Sequence, residues 1–211
     1  TAQLAAGDRR PEGSLARAMV RRDRVKGDVK ETQSGESTTA GVSIDDWVDG
    51  LRGLPNDEGY VKSITAYVKA SPVDVASLTP YTFFEDKHYT RNLVYRDELI
   101  EVLVLCWEAG HESPAHNHRD QQCWVVMAYG CLENINYAVT EQDAAKGTCT
   151  LEPTSTTRLT RTEPFAVDDD EPVHKVICCP HQNERAMSVH IYSRPFDTCE
   201  VYCLKSGTYK D

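Results

Sequence analysis

The apolar residues of this chain change rhythm twice. Through residues 1–42 they show no periodicity: Arg, Gly, Ser and Thr dominate, closing on Glu-Thr-Gln-Ser-Gly-Glu-Ser-Thr-Thr-Ala-Gly. That stretch is expected to be a mostly disordered tail, with a transient helix across 15–25. Helical spacing then takes over. Ser43 is placed to cap a helix through Asp45, Trp47, Val48 and Leu51, which Gly53-Leu54-Pro55 stops. Tyr60, Val61, Ile64, Tyr67 and Val68 recur at steps of three and four, giving a second helix one buried face before Pro72 ends it. A short third helix is expected over 73–78, completing a helical lead-in over 43–80. From Tyr89 onward the pattern becomes short runs of Val, Leu, Ile and Tyr broken by turn residues. Strands are expected at 89–95, 99–107, 123–129, 132–139, 148–151, 156–159, 174–178, 186–192 and 200–204. Many short strands at this spacing predict a sandwich or barrel, over 88–205, with the helices against one side.

Composition narrows this picture. At 211 residues the chain is one domain or one domain plus a tail, and the reading is a single domain at 43–211. The formal charge of −10 argues against nucleic acid or an anionic membrane as a partner. It is unevenly spread: the first thirty residues hold eight Lys/Arg and four Asp/Glu, leaving 29 acidic against 15 basic in the rest. Four acidic residues in that start argue against a transit peptide, and no apolar run resembles a membrane span or signal core. A cytoplasmic protein is the expectation. With one exception taken up below, the eight cysteines are expected to be thiols, since Cys106, Cys123 and Cys131 sit in or beside apolar runs where free cysteine serves as a small hydrophobe.

The chemistry is concentrated in Gly110-His-Glu-Ser-Pro-Ala-His116-Asn-His118-Arg-Asp-Gln-Gln-Cys123-Trp-Val-Val-Met-Ala-Tyr-Gly130. His116 and His118 are two apart, so in an extended segment both imidazoles leave on one face and can converge on one ion, whereas a helix would turn them apart. Gly, five residues, His-x-His, four residues, Cys, six residues, Gly resembles the first signature of the cupins, small jelly-roll barrels that carry Glu where Cys123 stands here. The resemblance implies a mainly β cupin barrel behind an N-terminal helical segment. Cys123 in place of Glu points to the branch in which three neutral histidines hold iron. The cupins' second motif places a single His at the start of a strand, as Glu171-Pro172-Val173-His174 does. The motif's usual glycine and asparagine are missing, and His88, His111 and His181 compete poorly for the third position.

Two further stretches sharpen the resemblance. Ser188-Val-His190-Ile-Tyr192-Ser-Arg-Pro-Phe-Asp-Thr-Cys199 and Tyr89-Thr-Arg91-Asn-Leu-Val94 are similar to signatures of the cysteine dioxygenases, and the likeness runs from about Ser43 to Cys199. It implies Fe(II) held by His116, His118 and His174, a substrate carboxylate gripped by Arg91, and a catalytic Tyr192 near the oxygen site. It also implies a thioether crosslink between Cys123 and Tyr192, and the oxidation of L-cysteine with O₂ to cysteine sulfinic acid, a step of cysteine catabolism toward taurine. The physical chemistry agrees: three neutral imidazoles leave a full 2+ charge that favours an incoming thiolate, and a guanidinium fork matches a planar carboxylate as Lys would not. His190 shares a strand face with Tyr192 and can orient it, and Tyr89 shares a face with Arg91 and can brace it. The expected partners are a small thiol and O₂, with the protein acting as a monomer.

Departures keep alternatives open. Gln122 precedes Cys123 where relatives often carry His, and Ser193-Arg194-Pro195 replaces a more familiar Ser-Pro-Pro. Arg194 either lies in solvent or reshapes the pocket for another thiol acid such as 3-mercaptopropionate. Relatives specialised for that acid carry Gln in place of Arg91, which favours cysteine. A cupin that binds metal without turnover, or a cupin-type sugar isomerase, needs no coincidence of Arg91, Cys123 and Tyr192. Three histidines alone also accept zinc or nickel.

Overall fold

A computed structural model describes residues 8–9, 41–161, 163–167, 173–179 and 184–210. The helix expected across 15–25 and His181 lie outside these. Helix α1 (Ile44–Arg52) starts where Ser43 Oγ accepts the Asp46 N–H and ends at Gly53. Helix α2 (Tyr60–Ala70) buries Tyr60, Ile64 and Val68 and half-buries Tyr67, but Val61, expected on the same face, is 42% exposed because it lies one position round the helix from that stripe. The third helix is a 3-10 turn over Val75–Tyr81, capped by Asp74. Trp47 Nε1 donates to the Ser71 carbonyl at 2.7 Å and Tyr67 Oη to the Trp47 carbonyl at 3.0 Å, tying α1 to α2.

Twelve strands follow the two rhythms less evenly. They are β1 (Asp8–Arg9), β2 (Thr90–Arg96), β3 (Glu101–Trp107), β4 (Ala115–His116), β5 (Gln122–Tyr129) and β6 (Leu132–Asp143). Then come β7 (Thr148–Leu159), β8 (Phe165–Ala166), β9 (Val173–Cys178), β10 (Ala186–Ser193), β11 (Val201–Cys203) and β12 (Thr208–Lys210). One sheet runs β1-β2-β3-β10-β5-β8, and the other six close into a ring, β11-β12-β7-β6-β9-β4, that β4 completes by pairing with β11. Sequence-distant neighbours such as β3, β10 and β5 are the crossed connections of a jelly roll. The cupin barrel with its helical lead-in is therefore the observed fold. Two departures have plain causes. The two strands expected at 148–151 and 156–159 are one, because β7 stays paired with β6 through irregularities at Asn136/Tyr137 and Val139/Glu141. Strands β1, β4, β8 and β12 have two or three residues each, too few for a period-two pattern to register.

Alternation on the central strands divides the interior in two. Val102, Val104, Cys106, Val126, Val189 and Ile191 face the helices with Trp47, Leu51 and Ile64. Leu103, Leu105, Trp107, Cys123, Val125, Met127 and Tyr192 face the space between the sheets. Strands β3 and β10 are consequently buried at every position, β3 as an apolar run after Glu101 and β10 with Ser188, His190 and Ser193 among its apolar residues. Gly130, between β5 and β6, has φ +76°, and a Cβ there would stand 2.3 Å from the Arg185 carbonyl oxygen, so the motif's last glycine is required by contact as well as by conformation.

The expectation of thiols is corrected at one place. Cys131 and Cys179 form a disulfide joining the entrance of β6 to the exit of β9, beside the Cys179 N–H to Cys131 carbonyl bond of 3.0 Å. The two are 48 residues apart, and only the pairing of β6 with β9 makes them neighbours. The other six cysteines are free. Replacing both Cys131 and Cys179 by alanine is expected to lower unfolding stability by about 4 kcal/mol, the chain-entropy value for a loop of this length. Urea midpoints that match the parent's would show that the bridge adds nothing. No helix among the described residues is long and apolar enough to cross a membrane.

Candidate metal centre

The ring places two of the histidines directly opposite each other: His116 on β4 and His174 on β9 are register partners. His118 follows two residues on, before a turn in which Arg119 and Asp120 take left-handed φ of 51° and 61° and Gln121 N–H returns to the His118 carbonyl at 3.0 Å. Ligand atoms of the three imidazoles all lie within 4.8 Å of one another, and all three residues are buried. No carboxylate belongs to this cluster, the only potential metal-binding group among the described residues. His88 and His111 are elsewhere, bonded to the Tyr89 and Asp86 carbonyls.

Hydrogen bonds fix which nitrogen each ring offers. His116 Nδ1 donates to the Pro114 carbonyl at 2.9 Å and His174 Nδ1 to Asn134 Oδ1 at 2.5 Å. Neither acceptor has a proton to give, so in the neutral rings both Nε2 atoms carry lone pairs. His174 Nε2 then faces His118 Nε2 at 3.2 Å, while His118 Nδ1 is buried without a partner among the described residues. Nitrogen ligands bonded at about 2.1 Å to one cation are themselves about 3.0–3.4 Å apart. The His118–His174 pair already has that spacing, and with His116 inside the 4.8 Å cluster the three nitrogens can close on a divalent ion.

The rings are neutral. Burial pushes His116 down to about 4, against the opposing effect of its bond to Pro114, with Arg91 adding to the fall. Burial and then the neighbouring imidazoles hold His118 and His174 well below the usual histidine value. His190 is pushed down to about 3 by burial, then by Arg91 and His116. An unfolded histidine titrates near 6.5, so between about 4 and 6.5 the unfolded chain binds more protons than the folded one. Stability held above that range is lost as pH falls through it, about 3 kcal/mol by pH 4 from His116 alone. Urea midpoints of metal-free protein should fall between pH 6.5 and 5, where carboxylates have barely begun to protonate. A flat profile there would contradict the neutral assignment.

The opposite sheet brings the remaining residues up to the triad. Tyr192 on β10 and Cys123 on β5 are register partners, so their side chains emerge side by side on the inner face. The Tyr192 ring meets His118 edge to face at 5.4 Å, and Phe196 packs on both, 5.3 Å from Tyr192 and 5.7 Å from His118. Arg91 on β2 stands over the Tyr192 ring at 5.6 Å. Burial would strip its proton, but the hydroxyls of Tyr192 and Tyr89 and the Glu101 carboxylate more than offset that, and the guanidinium is held above its ordinary value. Tyr89 is stacked on Trp107 with centroids 4.2 Å apart.

A polar chain on β10 orients the tyrosine. Trp107 Nε1 donates to Ser188 Oγ at 3.1 Å, and Ser188 Oγ meets His190 Nε2 at 3.0 Å. His190 Nδ1 in turn lies 3.4 Å from Tyr192 Oη, so the imidazole links the serine to the tyrosine. Arg91 and Cys123 also reach the Tyr192 hydroxyl, which is thereby held in place beside the triad. Burial raises both the Tyr192 hydroxyl and the Cys123 thiol, the latter to about 12, so both are protonated at neutral pH. Every expected site residue is thus in one place. Arg194 is exposed, its backbone N–H bonded to Gln121 Oε1 at 2.7 Å. Sequence reasoning missed Pro114, Asn134, Ser188, Trp107 and Phe196, which touch the site residues without themselves belonging to a metal or substrate motif.

Comparison with known proteins points the same way. The family model described as cysteine dioxygenase type I matches residues 36–205. The cysteine dioxygenase type 1 of Homo sapiens is 30% identical over 152 residues, 72% of this chain and 74% of its own length. That of Bos taurus is 31% identical over 153 residues, with the same shares. Among solved structures, a Klebsiella pneumoniae protein with a double-stranded β-helix domain aligns with a TM-score of 0.46 at 16% identity, covering 59% of this chain and 88% of that one. With more than two thirds of its length matched, and three buried histidines gathered between its sheets, the chain belongs to the cysteine dioxygenase type I family.

Proposed function

We propose that the protein oxidises L-cysteine with O₂ to cysteine sulfinic acid, using Fe(II) held by His116, His118 and His174. The observation that carries this reading is the convergence of a cation for a carboxylate, a neutral hydroxyl donor and three neutral imidazoles within one buried space. When bound, Fe(II) would supply the Lewis acidity that favours a thiolate and the redox chemistry that O₂ requires.

The chain's own groups do the selecting. Arg91 offers a fork of parallel N–H donors to a carboxylate, and its contacts with Tyr192 and Tyr89 keep that fork from swinging. Tyr192, kept neutral and held by His190 and Arg91, presents its hydroxyl toward the oxygen that reacts. Phe196 and the apolar residues around Cys123 limit water. We take the protein as monomeric and cytoplasmic: six of its eight cysteines stand outside any disulfide, as in a reducing compartment, and the Cys131–Cys179 bridge is the exception.

Cys123 and Tyr192 stand opposed across β5 and β10, a placement that supports a thioether between the sulfur and a ring carbon. The bond forms with loss of two hydrogens, which O₂ takes up. Peptide mapping after many turnovers should find the linked peptide, and Cys123 recovered entirely unmodified would remove this part of the proposal.

Substrate choice tests the reading directly. L-cysteine should be turned over at least tenfold more efficiently than cysteamine, which lacks the carboxylate, and more efficiently than 3-mercaptopropionate. Equal turnover of cysteine and cysteamine would show that Arg91 does not govern selection.

A further inference from the structure

We propose that the buried chain Asn134, Asn136 and Ser155 is a positioning device for the metal centre. It fixes His174 as an Nε2 ligand, and by using an amide in place of a carboxylate it leaves the ion's positive charge undiminished for an anionic thiol. This deepens the function proposed above and, for its consequence on substrate, rests on it.

The three residues are brought together by strand register. Asn136 on β6 is the direct partner of His174 on β9 and of Ser155 on β7, and Asn134 lies two residues back on the same face. Asn134 Nδ2 donates to Asn136 Oδ1 at 2.6 Å, and Asn136 Nδ2 donates to Ser155 Oγ at 3.1 Å. Asn134 is 1% exposed and Asn136 6%, so neither amide can turn to bulk water. With its NH₂ end engaged by Asn136, Asn134 has only its carbonyl end to show His174. A carbonyl accepts, so His174 must carry its proton on Nδ1 and present Nε2 to the other histidines.

The choice of acceptor has an electrostatic consequence. A carboxylate at this position would pull the Nδ1 proton toward itself, push electron density through the ring and partly neutralise the ion. His116 uses the Pro114 carbonyl, another neutral acceptor, and among the described residues the three-histidine cluster contains no carboxylate. The charge that remains is available to a thiolate, alongside Arg91 for the carboxylate.

Two substitutions separate holding from charge. Asn134→Leu keeps the volume and removes the acceptor. Asn134→Asp keeps the acceptor and adds the charge. Zinc affinity of the full chain, measured by competition with a chromophoric chelator, should fall 10- to 100-fold in Asn134→Leu. In Asn134→Asp it should stay level or rise, while KM for L-cysteine rises several-fold with kcat less affected. In the zinc-loaded parent, ¹⁵N NMR should show a slowly exchanging His174 Nδ1–H that is lost in Asn134→Leu. Unchanged zinc affinity in a folded Asn134→Leu protein would overturn the proposal, as would an Asn134→Asp protein that matches Asn134→Leu in both affinity and KM. Should Asn134→Leu not fold, absence of the protected Nδ1–H in the parent overturns it. The zinc and NMR readouts involve no turnover, so they remain decisive even if cysteine is not the substrate.

Discussion

Replacing His174 by alanine should reduce iron binding and thiol oxidation on the order of 10³-fold or more, leaving a protein that still folds. The expectation follows from the small number of ligands. Three imidazoles form the cluster among the described residues, and removal of one leaves His116 at the end of β4 and His118 two residues beyond it as a two-point grip. The loss should exceed the 10- to 100-fold typical of a group that merely supports a ligand. Folding is hurt less. The deletion orphans the Asn134 carbonyl end, costing about 1–3 kcal/mol, while the β6 and β9 pairing and the Cys131–Cys179 bridge hold the strands. Metal content by mass spectrometry, with circular dichroism as the control for fold, checks both parts. A folded His174→Ala protein with parental iron content would remove His174 from the ligand set.

Arg91→Gln is the second large effect, and its signature is selectivity. The guanidinium sits against the Tyr192 ring at 5.6 Å, beside Tyr89 and the triad, where a substrate carboxylate would be largely desolvated. Removing one partner of such a pair costs about 2–5 kcal/mol, so kcat/KM for L-cysteine should fall roughly 10²- to 10³-fold. Turnover of cysteamine, already poor in the parent, should hardly change, because it never used the fork. Arg91→Lys should recover little, since an ammonium cannot make two parallel bonds in one plane. An equal loss for both thiols would assign Arg91 a structural part.

The fold was legible where apolar spacing is long and uninterrupted. Strands β3, β5 and β10 and helices α1 and α2 carry the interior on both faces of one sheet, and their residues announce it. Strand β7 was read as two because Glu152, Pro153, Thr154 and Ser155 carry no apolar signal, although they remain paired with β6. The His-x-His pair was legible because Gly110, Cys123 and Gly130 flank it at fixed spacing, whereas two histidines at that spacing alone are common on strands. His174 was found by position in a motif, but Asn134, forty residues earlier, could not be joined to it before the β6 and β9 register was known. The same holds for the disulfide, and for Ser188 and Trp107, whose link crosses from β10 to β3. Local chemistry leaves a mark on the sequence, whereas hydrogen bonds across strands are set by topology.

The central claim is that both oxygen atoms of the product come from one O₂ at the three-histidine centre. Iron-loaded protein given L-cysteine under ¹⁸O₂ should yield sulfinate with two ¹⁸O atoms by mass spectrometry, with one O₂ consumed per sulfinate formed. Sulfinate carrying a single label, or oxygen uptake no faster than with the His174→Ala protein, would contradict it.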